Sequence, residues 1–431
     1  MSDPPSSRRE PEKQMENFLG NVWKFYVCKV LLGLSQGVVI PIVVLYFHDR
    51  GISLTGFMIL MTVLNFSQFV LEVPTGIVAD KFSRKWSVFS GFVIWSISLL
   101  IMLTTTNYPL LILAFVGFGL FSALLSGADT ALLYDSLKTH RKEEKFQKTL
   151  GNGISLQLLA MVLGTISCGI IVDITGLSGT MWASFGTAIL ASIVTSLFKE
   201  PSFLDEVRAE EKTQSFTDGV SSYLLHLKES FQYIGRSREL IALIFINIVI
   251  IRICFFTDRP FAQPYLSSFE YSPVQISYFY TIFNGTAALF ARYSDRVGKI
   301  LGSSERRSIS LIGALGTVSL VIMGNAWMGP LAVLAIVGIY LMKGLFEPFI
   351  QDGLNRRISS EKRASCLSIS AMGNNFLGLF LGPFFGYLAD VYSLGTSLLT
   401  FQWTFAPLLV VGVIWGWRVL GRIHEPEPTV R

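Results

Sequence analysis

Charge is what this sequence has least of. Asp, Glu, Lys and Arg make up 15% of its 431 residues, against roughly 25% in ordinary soluble domains. A soluble surface needs more charge than that, so a string of soluble domains is excluded, and with it a soluble enzyme. Cysteines number four, Cys28, Cys168, Cys254 and Cys366, each in an apolar stretch and none in paired spacing. Neither a disulfide framework nor a metal site is indicated. The four histidines form no metal pair and no nucleophile–base set with Ser or Cys. No Gly-rich loop precedes a Lys-Ser/Thr pair, which argues against ATP as the driving force, and no cofactor is expected. The polar N-terminus lacks the apolar core of a cleavable signal and is expected to stay in the cytosol. The net charge of +5 does not imply nucleic acid, because the basic residues sit in short loops between apolar runs.

Those runs dominate the chain. Hydrophobic residues reach 51%, Phe alone occurs 34 times, and the mean hydropathy is +0.52. A spanning helix needs about 20 mostly apolar residues. Such runs fall at 22–47, 54–79, 86–106, 109–137, 148–173, 180–198, 239–266, 274–294, 308–326, 330–355, 364–390 and 397–420. The expectation is an all-α integral membrane protein with twelve transmembrane helices. Lys and Arg cluster before span 1 (Arg8, Arg9, Lys13, Lys24) and after span 2 (Lys81, Arg84, Lys85). They recur after span 4 (Lys138, Arg141, Lys142, Lys145), span 8 (Arg296, Lys299, Arg306, Arg307) and span 10 (Arg356, Arg357, Lys362, Arg363). Among the opposite loops only Arg50 appears. The bias places both termini in the cytosol, and the expected location is a bacterial cytoplasmic (inner) membrane.

The longest loop, 199–238, begins with a charged stretch and continues with Phe216, Val220, Tyr223, Leu224, Leu227, Phe231 and Ile234 at helical spacing. It reads as an amphipathic helix on the cytosolic membrane face, with a partner-binding helix as the alternative. The expected organisation is a tail (1–21), a six-helix bundle (22–198), this linker (199–238), a second six-helix bundle (239–421) and a tail (422–431). Within each half the second helix of every three ends alike. The endings are Gly76-Ile77-Val78-Ala79-Asp80, Gly169-Ile170-Ile171-Val172-Asp173, Ala291-Arg292-Tyr293-Ser294-Asp295 and Gly386-Tyr387-Leu388-Ala389-Asp390. On the inferred topology the Asp alternates inside and outside. Each six-helix bundle therefore reads as two inverted three-helix repeats, an arrangement of rocker-type transporters.

The stretch Gly76-Ile77-Val78-Ala79-Asp80-Lys81-Phe82-Ser83-Arg84-Lys85 resembles the loop 2–3 signature of the major facilitator superfamily. Asp295-Arg296-Val297-Gly298-Lys299 is its counterpart in the second half. In the first copy Ser83 stands where that family usually has Gly. Gly33, Gly37 and Pro41 in span 1, and Leu354-Asn355-Arg356-Arg357-Ile358 leading to Arg363-Ala364-Ser365, look like its drug-efflux branch. Antiporters of the family often carry a Gly-Pro pair on helix 5; here span 5 has Gly164 and Gly169 without Pro, and Gly382-Pro383 lies on span 11. The resemblance implies that Asp80 braces a cytosolic gate against the start of span 11 and that Arg84 helps hold it closed. Asp295 and Arg296 hold the corresponding places. Topology anchoring is the plainer reading of the basic residues.

Ionisable groups in mid-membrane cost about 2.5–3.5 kcal/mol on insertion scales, so they face a cavity or a partner. Eight are present: Lys29, Glu72, Asp129, Arg252, Asp258, Arg259, Lys343 and Glu347. Asn65, Gln68 and Glu72 form a polar stripe, and Glu72 is a candidate for proton coupling or for a gate partner. Asp129 sits among small residues in Gly127-Ala128-Asp129-Thr130, with coupling, substrate binding or a structural pair with Lys29 or a gate Arg as its readings. Asp135 and Asp352 lie nearer the interface and read as structural. Lys343 and Glu347, four apart, can neutralise one another or open on binding. In span 7, Arg252, Phe256, Arg259 and Gln263 share a face that Pro260 and Pro264 interrupt. An Arg there could grip a carboxylate or phosphate, with Phe255 and Phe256 as aromatic surface; pairing with an acid and helix packing are the alternatives.

The function expected is secondary active transport of a small organic molecule by alternating access, as proton-coupled export from a monomer in the lipid bilayer. The runner-up is a proton symporter or facilitator importing an organic anion or nutrient. A non-transporting receptor acting through the 199–238 loop is a third reading, and one that does not need eight buried charges.

Overall fold

The computed structural model describes residues 9–81, 83–139, 141–199, 229–358 and 360–420, and only the backbone of 9–19, 73, 77–81, 355, 360–365, 367 and 368. Among these residues there is no strand. The first helices are α1 (Arg9–Val39), α2 (Val43–Asp49), α3 (Leu54–Lys81), α4 (Arg84–Thr104), α5 (Tyr108–Leu125) and α6 (Ala128–Lys138). After a 3-10 turn come α7 (Phe146–Thr175) and α8 (Leu177–Ser196). Past the linker follow α9 (Arg238–Phe256), a π-helical turn (Thr257–Phe261) and α10 (Ala262–Ser267). The chain closes with α11 (Pro273–Ile300), α12 (Glu305–Asn325), α13 (Gly329–Arg357), α14 (Ser360–Val391) and α15 (Leu394–Val419).

Ten of these helical segments are long and apolar enough to cross a membrane. α11 and α14, 28 and 32 residues long, stand where the eighth and eleventh spans are expected but are not among the ten. The surface matches a lipid solvent. On α7, Leu158, Leu159, Leu163, Ile166, Ile170 and Ile174 are all exposed, an outward apolar face that water would penalise.

The chain forms two compact units, one of Met1–Ile52 with Ile59–Ser221 and one of Ser53–Met58 with Ser222–Arg431. In the first, α1 and α7 meet almost backbone to backbone. A Cβ on Gly33 would lie 2.2 Å from the Gln157 carbonyl oxygen, and one on Gly37 2.1 Å from that of Met161. Small residues permit such approach where lipid supplies no hydrophobic drive between helices. Stacked Trp95 and Phe121, 4.8 Å between centroids, fill the space between α4 and α5. Arg50 donates to the Met102 and Leu103 carbonyls at 2.8 and 3.0 Å. Those are terminal acceptors of α4, which an added cation satisfies.

The second unit is built around aromatics. Phe256, Phe261, Phe385, Phe401 and Phe405 pack on one another, with Phe401 and Phe405 4.8 Å apart. Its Ser53–Met58 segment opens α3, where the Leu54 and Thr55 N–H groups donate to the Asp390 carboxylate at 3.1 and 2.7 Å. The last Asp of the fourfold ending thus satisfies free N–H groups at the start of α3 from another helix. Of the expected linker helix, Phe216, Val220, Tyr223, Leu224 and Leu227 lie outside the described residues. Residues 229–235 are helical; Ser230 and Ile234 are buried, and Tyr233 donates to the Arg357 carbonyl at 3.1 Å.

Two expected elements need correction. Span 1 is interrupted at 40–42, between α1 and α2. Span 4 is not continuous: it divides at Ser126-Gly127 into α5 and α6, because Gly127 takes φ +77°, a conformation that only glycine enters without strain.

Candidate functional site

In the first unit the break between α5 and α6 creates the site. It places Asp129 in the first turn of α6, where unpaired N–H groups favour an anion. One carboxylate oxygen accepts from the Thr130 N–H at 2.6 Å and the other from Lys29 Nζ at 2.8 Å. Both side chains of this ion pair are 14% exposed, and Lys29 also lies 5.3 Å from the Phe25 ring centroid. Beside them is a cavity of about 20 Å³ lined by Phe25, Cys28, Leu32 and Leu125 among others, room for one water molecule. Glu72 approaches the same break, its carboxylate accepting from Ser126 Oγ at 3.4 Å. Among the described residues no cation pairs with it. Asn65, expected on the same stripe, turns its amide to the Met61 carbonyl of its own helix instead.

Elsewhere in this unit Arg84 pairs with Asp135, tying α4 to α6. Ser83, found where the family pattern has Gly, has an extended backbone (φ −173°) and accepts from the Trp86 N–H as N-cap of α4. The turn needs no glycine. The side chains of Asp80 and of residues 360–365 at the start of α14 lie outside the described residues, so the expected gate contact falls there too. Asp295 pairs locally with Lys299 at 2.7 Å on an exposed face, and Arg296 lies over the Tyr293 ring.

The second unit gathers its charges around the π-helical turn. Pro260 cannot donate to the helix ladder, and the wider turn absorbs the gap. Asp258, within it, accepts from the Tyr340 hydroxyl through its carboxylate and from the Tyr280 hydroxyl through its main-chain carbonyl. Arg259 Nε stands 4.0 Å from the same carboxylate, and Lys343 lies 5.2 Å from the Tyr340 ring centroid. Arg252 is 4% exposed; its Nε donates to Asn374 Oδ1 at 3.1 Å and its guanidinium lies 4.8 Å from the Phe255 ring centroid.

Two readings of the sequence change here. Phe256 offers no aromatic surface to a ligand, because it is fully buried in the Phe cluster. Lys343 and Glu347 form no ion pair among the described residues despite their spacing; Lys343 turns to Tyr340 instead. Arg357 was legible as a topology cation and as part of an efflux-like segment. It is the centre of a network, donating to Glu239 at 2.7 Å and to both Glu305 oxygens at 2.9 and 2.7 Å. Burial alone would lower its pKa; the bonds from Glu305 and Glu239 outweigh that and raise it. The signal was present in acids at the first turns of α9 and α12 and Arg at the last turn of α13, the pattern helix dipoles favour. Asp352, read as structural, pairs with Arg356 one turn on at 2.7 Å.

The family model of the Major Facilitator Superfamily matches residues 25–357. The chain belongs to the major facilitator superfamily. Within the superfamily it is 21% identical over 371 residues to the uncharacterized MFS-type transporter YxaM of Bacillus subtilis, covering 86% of this chain and 90% of that protein. It is 26% identical over 125 residues to the quinolone resistance protein NorA of Staphylococcus aureus, covering 29% of this chain and 32% of NorA. Among solved structures, the nucleoside transporter NupG aligns with a TM-score of 0.73 at 16% identity, covering 94% of this chain and 100% of NupG. The POT family transporter PepTSo aligns at 0.68 and 9% identity, covering 94% and 99%. At these identities the two structures share the superfamily fold with this chain. It is a multi-pass membrane protein of a transporter family.

Proposed function

We propose that this superfamily member is a twelve-span, proton-coupled secondary transporter that exports a small organic molecule by alternating access. The Lys29–Asp129 pair supports the coupling. It links α1 to the start of α6 across the break in span 4, next to a cavity, and is sheltered from bulk water. Protonating Asp129 removes its attraction for Lys29, so binding a proton and releasing α1 from α6 become one event. Asp258, with Tyr340 and Arg259 around its carboxylate, is the corresponding group of the second unit. The NorA-like segment supports the outward direction.

The test is flux in proteoliposomes under an imposed pH gradient. Wild-type protein accumulates substrate only with the gradient, and Asp129→Asn retains exchange but loses accumulation. Gradient-driven accumulation by Asp129→Asn removes that residue from coupling. The missing Gly-Pro pair on α7 favours import as a second reading; internal substrate falls rather than rises in cells lacking an importer.

A further inference from the structure

Arg252 is a full charge sealed inside the second unit with its hydrogen bonding incomplete. Its Nη1 is buried and has no hydrogen-bond partner, and no acid pairs with it among the described residues. Its orientation is nonetheless held. Asn247 Nδ2 donates to Ser370 Oγ at 2.8 Å, Asn374 Nδ2 to the Ser370 carbonyl at 3.3 Å, and Arg252 Nε to Asn374 Oδ1 at 3.1 Å. These bonds run along the α9–α14 seam and fix the guanidinium plane. The spare Nη1 faces Gly378, where a Cβ would come within 2.6 Å of it. Phe255 lies against the guanidinium and, at 6.0 Å, against that of Arg259 too. An aromatic ring thus lies between a buried cation and a second one that is about a third exposed.

An unpaired buried charge is costly, and a guanidinium with a free N–H edge is shaped for an oxyanion. We propose that Arg252, Phe255 and Gly378 form an anion subsite and that the transported molecule is a small organic anion. Its carboxylate or phosphate meets the free Nη1 edge of Arg252, and its apolar part lies on Phe255. Arg259 draws the anion in. This assignment rests on the transport reading but not on its direction.

The test uses the purified full-length protein and follows thermal unfolding while titrating benzoate, phenyl phosphate, benzylammonium and benzyl alcohol. Benzoate or phenyl phosphate raises Tm saturably, and the two arms separate a carboxylate from a phosphate. The cation and the alcohol leave Tm unchanged. Arg252→Met weakens the effective anion about 100-fold. Gly378→Ala, whose methyl would lie 2.6 Å from Nη1 and displaces that edge, weakens it about 10-fold, and it decides the matter where Arg252→Met does not fold. The proposal is overturned if neither anion shifts Tm, or if the shift survives in the folded variants. Anion binding without flux of the same anions in proteoliposomes sinks the transport reading and leaves the subsite standing. Flux of benzylammonium without anion binding does the reverse.

Discussion

The seam between α1 and α7 in the first unit and that between α9 and α14 in the second are built from opposite materials. The first is closed by glycine: Gly33, Gly37 and Gly164 bring main chains together, and a Cβ on Gly164 would lie 2.7 Å from the Leu34 carbonyl oxygen. The second is closed by side chains, Asn247 with Ser370 and Arg252 with Asn374. Main-chain contact has no slack, whereas a side-chain seam can exchange one partner for another. Charge follows the same division. Lys29 has its acid, and Arg252 has none among the described residues. The glycine seam suits a rigid frame for a coupling pair, and the polar seam suits recognition of a ligand.

The largest test of this contrast is steric. Gly37→Ala puts a methyl group against the Met161 main chain, which cannot step aside, and is expected to cost about 3 kcal/mol or more. Gly378→Ala meets a side-chain nitrogen of Arg252 rather than main chain and costs about 1–2 kcal/mol. Thermal unfolding of the two variants in detergent measures both, and the reverse order would end the distinction. Next in size is the charge comparison. Lys29→Met and Asp129→Leu each cost about 2–3 kcal/mol, while the double variant is milder than their sum by at least about 1 kcal/mol. The equivalent cycle of Arg252→Met with Asp258→Asn shows coupling below about 0.5 kcal/mol, because no direct bond joins them. Strong coupling there would mean that Arg252 already has its acid.

The sequence reading went furthest where one-dimensional signals carry the physics. Apolar run length located the helices, and Pro260 marked the interruption of span 7. Contacts far apart in sequence were out of reach. The Lys29–Asp129 pair could be raised only as one alternative, because it joins residues 100 positions apart. The break at Ser126-Gly127 left a legible trace, a Ser-Gly pair beside an acid, but glycine inside an apolar run also serves close packing, as it does at Gly119 against the Leu64 carbonyl. Phe256 and Phe255 are indistinguishable in sequence, yet one is sealed in a cluster and the other meets two cations. Spacing of four made Lys343 and Glu347 a natural pair, and a nearby Tyr ring overrode it.

The smallest effects separate the two copies of the loop signature. In the first, α3 ends at Lys81 and Ser83 caps the next helix with an extended backbone. In the second, α11 runs on past Asp295, so Gly298 sits inside a helix, and the turn is made further along by Gly302 at φ +70°. Three substitutions therefore differ in sign. Ser83→Gly loses a side-chain cap and costs a few tenths of a kcal/mol. Gly298→Ala places its methyl 3.4 Å from the Phe349 ring, an ordinary contact, and gains about 0.5 kcal/mol from helix propensity. Gly302→Ala forces a left-handed alanine and costs about 1 kcal/mol. Unfolding midpoints of the three variants, measured side by side, check the assignment. A destabilised Gly298→Ala would mean that the second copy turns at the glycine its sequence pattern marks, and that the two loops are built alike after all.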